Sequence, residues 1–175
     1  MDKKLIPDLT IEEAASFYAL NLCTGQDLVD FACRALERGT VSDSFNILAG
    51  EVNPTMSVIG PLFEKGLSEL RITKPNKLQA QLNIAHFYAK AIKDGRLTPY
   101  QGACKIWWEI SNDIENPSAL LLSFVGPASE IEDLPERYEN DSYDPTPNIE
   151  EHKKAIIRAA DALLKIEDPS GLLQK

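Results

Sequence analysis

Cys104 and His86 are the side chains in this sequence whose types fit nucleophilic catalysis, a thiol with an imidazole to draw off its proton. Their spacing argues against that use. At about 100° per residue, His86 falls with Gln79, Asn83, Lys90 and Lys93 on the polar arc of its helix and is expected to face solvent. Cys104 follows Ala103 near an apolar side, where a thiol is buried and inert. Carboxylates are the other reactive groups in quantity. Glu130, Glu132 and Asp133, or Asp141 and Asp144, have the oxygens for calcium, but an EF-hand loop needs alternating ligands, a central glycine and a closing glutamate, and these are missing. Glu150, Glu151 and His152 open a helix, where acids are stabilised by the helix dipole without a metal. The glycines form neither GxxxxGK[ST] nor GxGxxG. The sequence therefore predicts no catalytic residue, no metal and no cofactor.

Binding is what clustered carboxylates do well. From Glu109 to Glu151 there are 12 Asp or Glu and one basic residue, Arg137, a balance of −11; the remaining 15 acids and 17 Lys or Arg give +2, and together they make the net −9. Such a field repels nucleic acid and anionic lipid and speeds encounter with a basic protein. Within the stretch, Tyr138 and Tyr143 alternate with Glu130, Glu132, Asp133, Glu136, Glu139, Asp141 and Asp144. Carboxylates accept from guanidinium forks and aromatic rings offer cation-π faces, so these nine residues are the expected partner-binding set. Trp108 is the tenth. Neighbouring helical residues point about 100° apart, so with Trp107 in the Ile106 and Ile110 stripe, Trp108 stands at the edge of the core, where tryptophan serves interfaces.

The elements that must position these groups read as helices throughout. Thr10 with Glu13, Thr24 with Asp27 and Thr98 with Gln101 are capping signals, and Gly39 and Gly95 are stops. A short helix is expected over Asp43 to Ala49, and a bent or split one over Met56 to Leu70, where Gly60-Pro61 and Gly66 interrupt the pattern. The next begins with Pro75 in its first turn and carries an apolar arc of about 220°, which marks a central helix. After Asn116-Pro117, Ala119 to Phe124 make one or two turns, residues 126–147 are an irregular acidic segment, and a last helix runs from about Asn148 to Lys165. No convincing period-2 strand appears, so the expected fold is all-α, a single-domain multi-helix bundle of about six or seven helices over residues 1–175.

Composition agrees with a cytoplasmic globular protein. Three cysteines, Cys23, Cys33 and Cys104, form no CxxC or zinc spacing and are expected to be reduced. Met1 to Leu9 lacks the apolar core of a secretory signal, and no apolar run approaches the ~20 residues of a membrane span. Between Gly39 and Leu164, the segments Leu62-Phe63-Glu64-Lys65-Gly66-Leu67-Ser68-Glu69-Leu70 and Asp94-Gly95-Arg96-Leu97-Thr98-Pro99-Tyr100-Gln101-Gly102-Ala103 resemble a group of small bacterial all-α proteins. In its acidity, size and helical character the chain is similar to immunity proteins, which neutralise secreted toxins, many of them basic nucleases. The resemblance implies a non-enzymatic inhibitor whose partner is a basic toxin domain, without nucleic acid or membrane. Two other classes fit the same residues: a small helical enzyme or ligand binder with a pocket between the central helix and the Trp107 helix, and a structural subunit of a larger assembly.

Overall fold

Threonines start three helices of the computed structural model, which describes residues 9–137 and 146–173. In α1 (Ile11–Ala19), α2 (Gly25–Glu37) and α6 (Pro99–Lys105), the side chains of Thr10, Thr24 and Thr98 accept from the amide of the third helical residue, whose own side chain accepts from the threonine amide. Each such cap contributes about 1 kcal/mol. Ser42 caps α3 (Asp43–Ala49) in the simpler one-way form. With α4 (Met56–Glu69), α5 (Lys77–Lys93), α7 (Ala119–Arg137) and α8 (Thr146–Leu163), the described residues hold eight α-helices and no strand, an all-α multi-helix fold. A π turn (Ile106–Ile110) and a 3₁₀ turn (Ser111–Asp113) continue directly from α6.

The chain forms two compact units, residues 1–83 and 84–175, and the boundary falls inside α5. In the first unit, four buried phenylalanines form the centre: Phe31 lies edge-on to Phe45 and Phe63, Phe45 stacks on Phe63, and Phe17 is buried with them in the same unit. Each ring contributes about 1.5–3 kcal/mol by leaving water. Of the bent or split helix expected over Met56 to Leu70, the split does not occur: α4 is one helix with Pro61 inside it. Pro61 lies early in the helix, and the carbonyl it leaves without a donor belongs to exposed Ser57, where water can serve. Gly66 is no interruption either. A Cβ there would stand 2.3 Å from the Phe45 ring, so the glycine is the space into which α3 packs its phenylalanine.

In the second unit α7 and α8 lie against each other, and α6 packs on both. Gly102 of α6 leaves room for Ile92 of α5, whose side chain a Cβ would meet at 2.3 Å. Ser118 donates its amide to the Leu172 carbonyl at 2.8 Å, tying the start of α7 to the chain end. Two expectations are corrected here. Residues 126–137, read as irregular, are helical and belong to α7; Leu121, Phe124 and Ala128 are buried at helical spacing straight through Gly126-Pro127, so burial of that stripe outweighs the lost proline amide. α5 begins at Lys77, beyond Pro75, because Asn76 caps it: its side-chain oxygen accepts from the Gln79 amide at 2.9 Å and its carbonyl from Ala80 at 2.9 Å.

Candidate partner-binding surface

The surface is built on α6, the π turn and α7, all within the second unit. Thr98 fixes the start of α6, and from there Tyr100, Cys104 and Trp108 follow at intervals of four. Tyr100 and Cys104 pair through their side chains, and that bond with burial pushes the Tyr100 hydroxyl up to about 12. Burial raises the Cys104 thiol, against the Tyr100 hydrogen bond, which lowers it, and the Glu132 carboxylate adds to the rise. Cys104 therefore carries its proton at neutral pH, the opposite of what a nucleophile needs.

The π turn holds the tryptophans. Its i→i+5 bonds put more residues in the turn than an α-helix has, so neighbouring side chains diverge by less than 100° and flat rings can face each other. Trp107 and Trp108 stack with centroids 4.7 Å apart and planes 17° apart. Trp107, expected in the core stripe, is half-buried instead; the core positions are taken by Ile106 and Ile110. Trp108 is 60% exposed, more than an edge residue would be. Glu109 anchors the turn: its carboxylate accepts from the hydroxyl of Tyr88 on α5 and pairs with Lys105 at 3.3 Å. Lys105 also lies over the Tyr88 ring, 5.4 Å from its centroid.

α7 packs against the π turn and carries Glu130, Glu132 and Asp133 in its second half. Glu132 is exposed and Glu130 and Asp133 are half-buried. Glu136 falls in the last turn of α7, and its side chain lies outside the described residues, as do Tyr138, Glu139, Asp141, Tyr143 and Asp144 altogether. Glu132 thus lies within electrostatic reach of Tyr100 and Cys104. Tyr100 is outside the partner-binding set expected from sequence; its spacing of four from Cys104 and eight from Trp108 is the sign that places it on their row.

His86 also departs from expectation. It is half-buried, not on a wet face, and its Nε2 lies 2.9 Å from the Leu163 carbonyl, which can only accept, so Nε2 carries the proton. With Lys93 pairing to Asp161 at 2.6 Å, this fastens α5 to the end of α8 and commits the imidazole to a structural bond. Among the described residues, no group of three or more His, Cys, Asp or Glu is placed to hold a metal, and no helix is long and apolar enough to cross a membrane. No family model, curated protein or solved structure matches the chain.

Proposed function

We propose that the protein is a binding protein of the immunity or antitoxin type, which occludes a basic toxin domain by charge complementarity. The observation that carries this reading is Trp108, 60% exposed and stacked on Trp107 at a π turn that packs against acidic α7. An exposed indole held rigid by its neighbour loses little freedom on contact, and it offers the largest apolar area of any side chain. On α7, Glu130, Glu132 and Asp133 supply acceptors for Arg or Lys, with Glu136, Tyr138, Glu139, Asp141, Tyr143 and Asp144 following in the chain. Inhibition then needs no chemistry. The acidic surface covers the positive groove with which a toxin such as a nuclease grips its substrate, and long-range attraction speeds encounter toward ~10⁸ M⁻¹s⁻¹ at low salt.

An inhibitor of this kind is encoded beside its toxin, so the partner to test is a basic domain from an adjacent reading frame. Replacing Glu132, Asp133 and Glu136 with lysine moves the net charge from −9 to −3, since each exchange adds two. Association at low salt should slow by about tenfold or more, while Trp108→Ala should speed dissociation by about 30-fold. Stopped-flow association and dissociation rates separate the two effects. Unchanged rates in both variants, or neighbouring frames that encode only metabolic enzymes, would sink the idea.

A further inference from the structure

Where α4 ends, an arginine occupies a backbone conformation that suits glycine. Arg71 has φ +59°, in the left-handed region, where a side chain bearing Cβ costs about 1 kcal/mol. The turn itself is an ordinary helix stop: the Ile72 amide donates to Leu67 at 2.9 Å and the Arg71 amide to Ser68 at 3.0 Å. At the end of α2 the corresponding position is Gly39, with φ +87°. The same stop ends α1 at Asn21, with φ +56°, so glycine or asparagine fills it elsewhere, and what arginine adds is a guanidinium.

Arg71 lines a cleft of about 460 Å³, a size that suits a small molecule, together with Glu64, Ser68, Thr73 and Lys74. Among the described residues, Arg71 and Thr73 have no side-chain hydrogen bond or ion pair. Lys74 donates to Glu64 at 2.9 Å and lies 4.7 Å from the centre of the Tyr18 ring, which leaves ammonium donors over. A second cleft of about 450 Å³ shares Thr73 and Lys74 and is lined further by Glu12, Asn76, Gln79 and Asn83, so its far side carries a carboxylate and the anion is placed in the first cleft. Arg71, Thr73 and Lys74 thus line the first cleft with the Glu64 carboxylate beside them, and Thr73 and Lys74 form the wall it shares with the second.

We propose that Arg71, Lys74 and Thr73 bind the oxyanion of a small metabolite, a phosphate or a carboxylate, whose neighbouring hydroxyl or amino group donates to Glu64. The guanidinium fork matches two oxygens of either anion, Thr73 donates a third bond, and Lys74 acts as a point charge. Glu64 is already held in place by Lys74 and by the Tyr18 hydroxyl at 3.1 Å, so it presents a fixed acceptor. This site lies in the first unit and rests on no part of the toxin-binding reading.

The test exploits two effects of opposite sign. Titration of the full chain with inorganic phosphate, and separately with acetate, should saturate amide shifts of residues 68–74 in one arm at millimolar concentration, and that arm identifies the anion class. Arg71→Gly should raise the melting temperature, because glycine suits φ +59°, while weakening anion binding about tenfold or more. Arg71→Lys should fall between, with the charge but not the fork. Loss of binding in a variant that is more stable cannot be blamed on unfolding. Absence of saturation by both anions in the wild type, or equal binding by Arg71→Gly, would overturn the proposal.

Discussion

Ser42, Ser44 and Glu69 show how a few atoms can tie stability to pH. Glu69 Oε2 accepts from the Ser42 hydroxyl at 2.6 Å and the Ser44 amide at 3.1 Å, and Oε1 accepts from the Ser44 hydroxyl at 2.6 Å. A carboxylate is thus set on the positive end of α3, and these hydrogen bonds, Ser42's foremost, pull its pKa from the ordinary 4.5 to about 2. A depressed carboxyl contributes stability that is fully present above its unfolded value and is lost as pH falls through its folded one. Glu69→Gln should therefore flatten the loss of stability between about pH 4.5 and 2, read as urea midpoints against pH. A midpoint profile that matches wild type through that window would show that Glu69 is not coupled to folding. The serine cap was local in sequence and readable from it; the carboxylate, 27 residues away from Ser42, was not, because only packing of α4 on α3 delivers it.

Prolines are where element boundaries were misread, and for one physical reason. Pro127 interrupts a hydrogen-bond ladder, but α7 is held by Leu121, Phe124 and Ala128 on one side, and burying a stripe contributes more than one amide bond. The apolar spacing 121, 124, 128 was visible all along; the proline rule concealed it by treating a local cost as decisive. Pro127→Ala should raise stability by about 2 kcal/mol, the ~3 kcal/mol of an interior proline less up to ~1 for the stiffness it gives the unfolded chain. Chemical denaturation followed by helix ellipticity measures this, and a destabilised variant would mean that the ring itself packs. Capping signals fared better, since Thr10, Thr24 and Thr98 act through residues three away and no tertiary contact can hide them. The π turn had no such sign, because Ile106 and Ile110, four apart, share a face in an ordinary α-helix as well.

Charge acts over the whole molecule. The net −9 is concentrated as −11 between Glu109 and Glu151, so the folded state repels itself there more than a chain of scattered charges would. Raising ionic strength from 0.01 to 0.15 M shortens the screening length from about 30 to about 8 Å, and the melting temperature should rise with sodium chloride at neutral pH. The variant with lysine at 132, 133 and 136 should show a shallower rise; equal slopes in the two proteins would mean that the cluster is solvated without strain. The two tryptophans, finally, make the molecule its own instrument. They are the chain's whole complement of indole, adjacent and stacked, and both belong to residues 84–175. Indole emission and the exciton signal of two rings at 4.7 Å therefore report on that unit and on whatever covers Trp108, while the aromatic signals of residues 1–83 are phenylalanine and tyrosine.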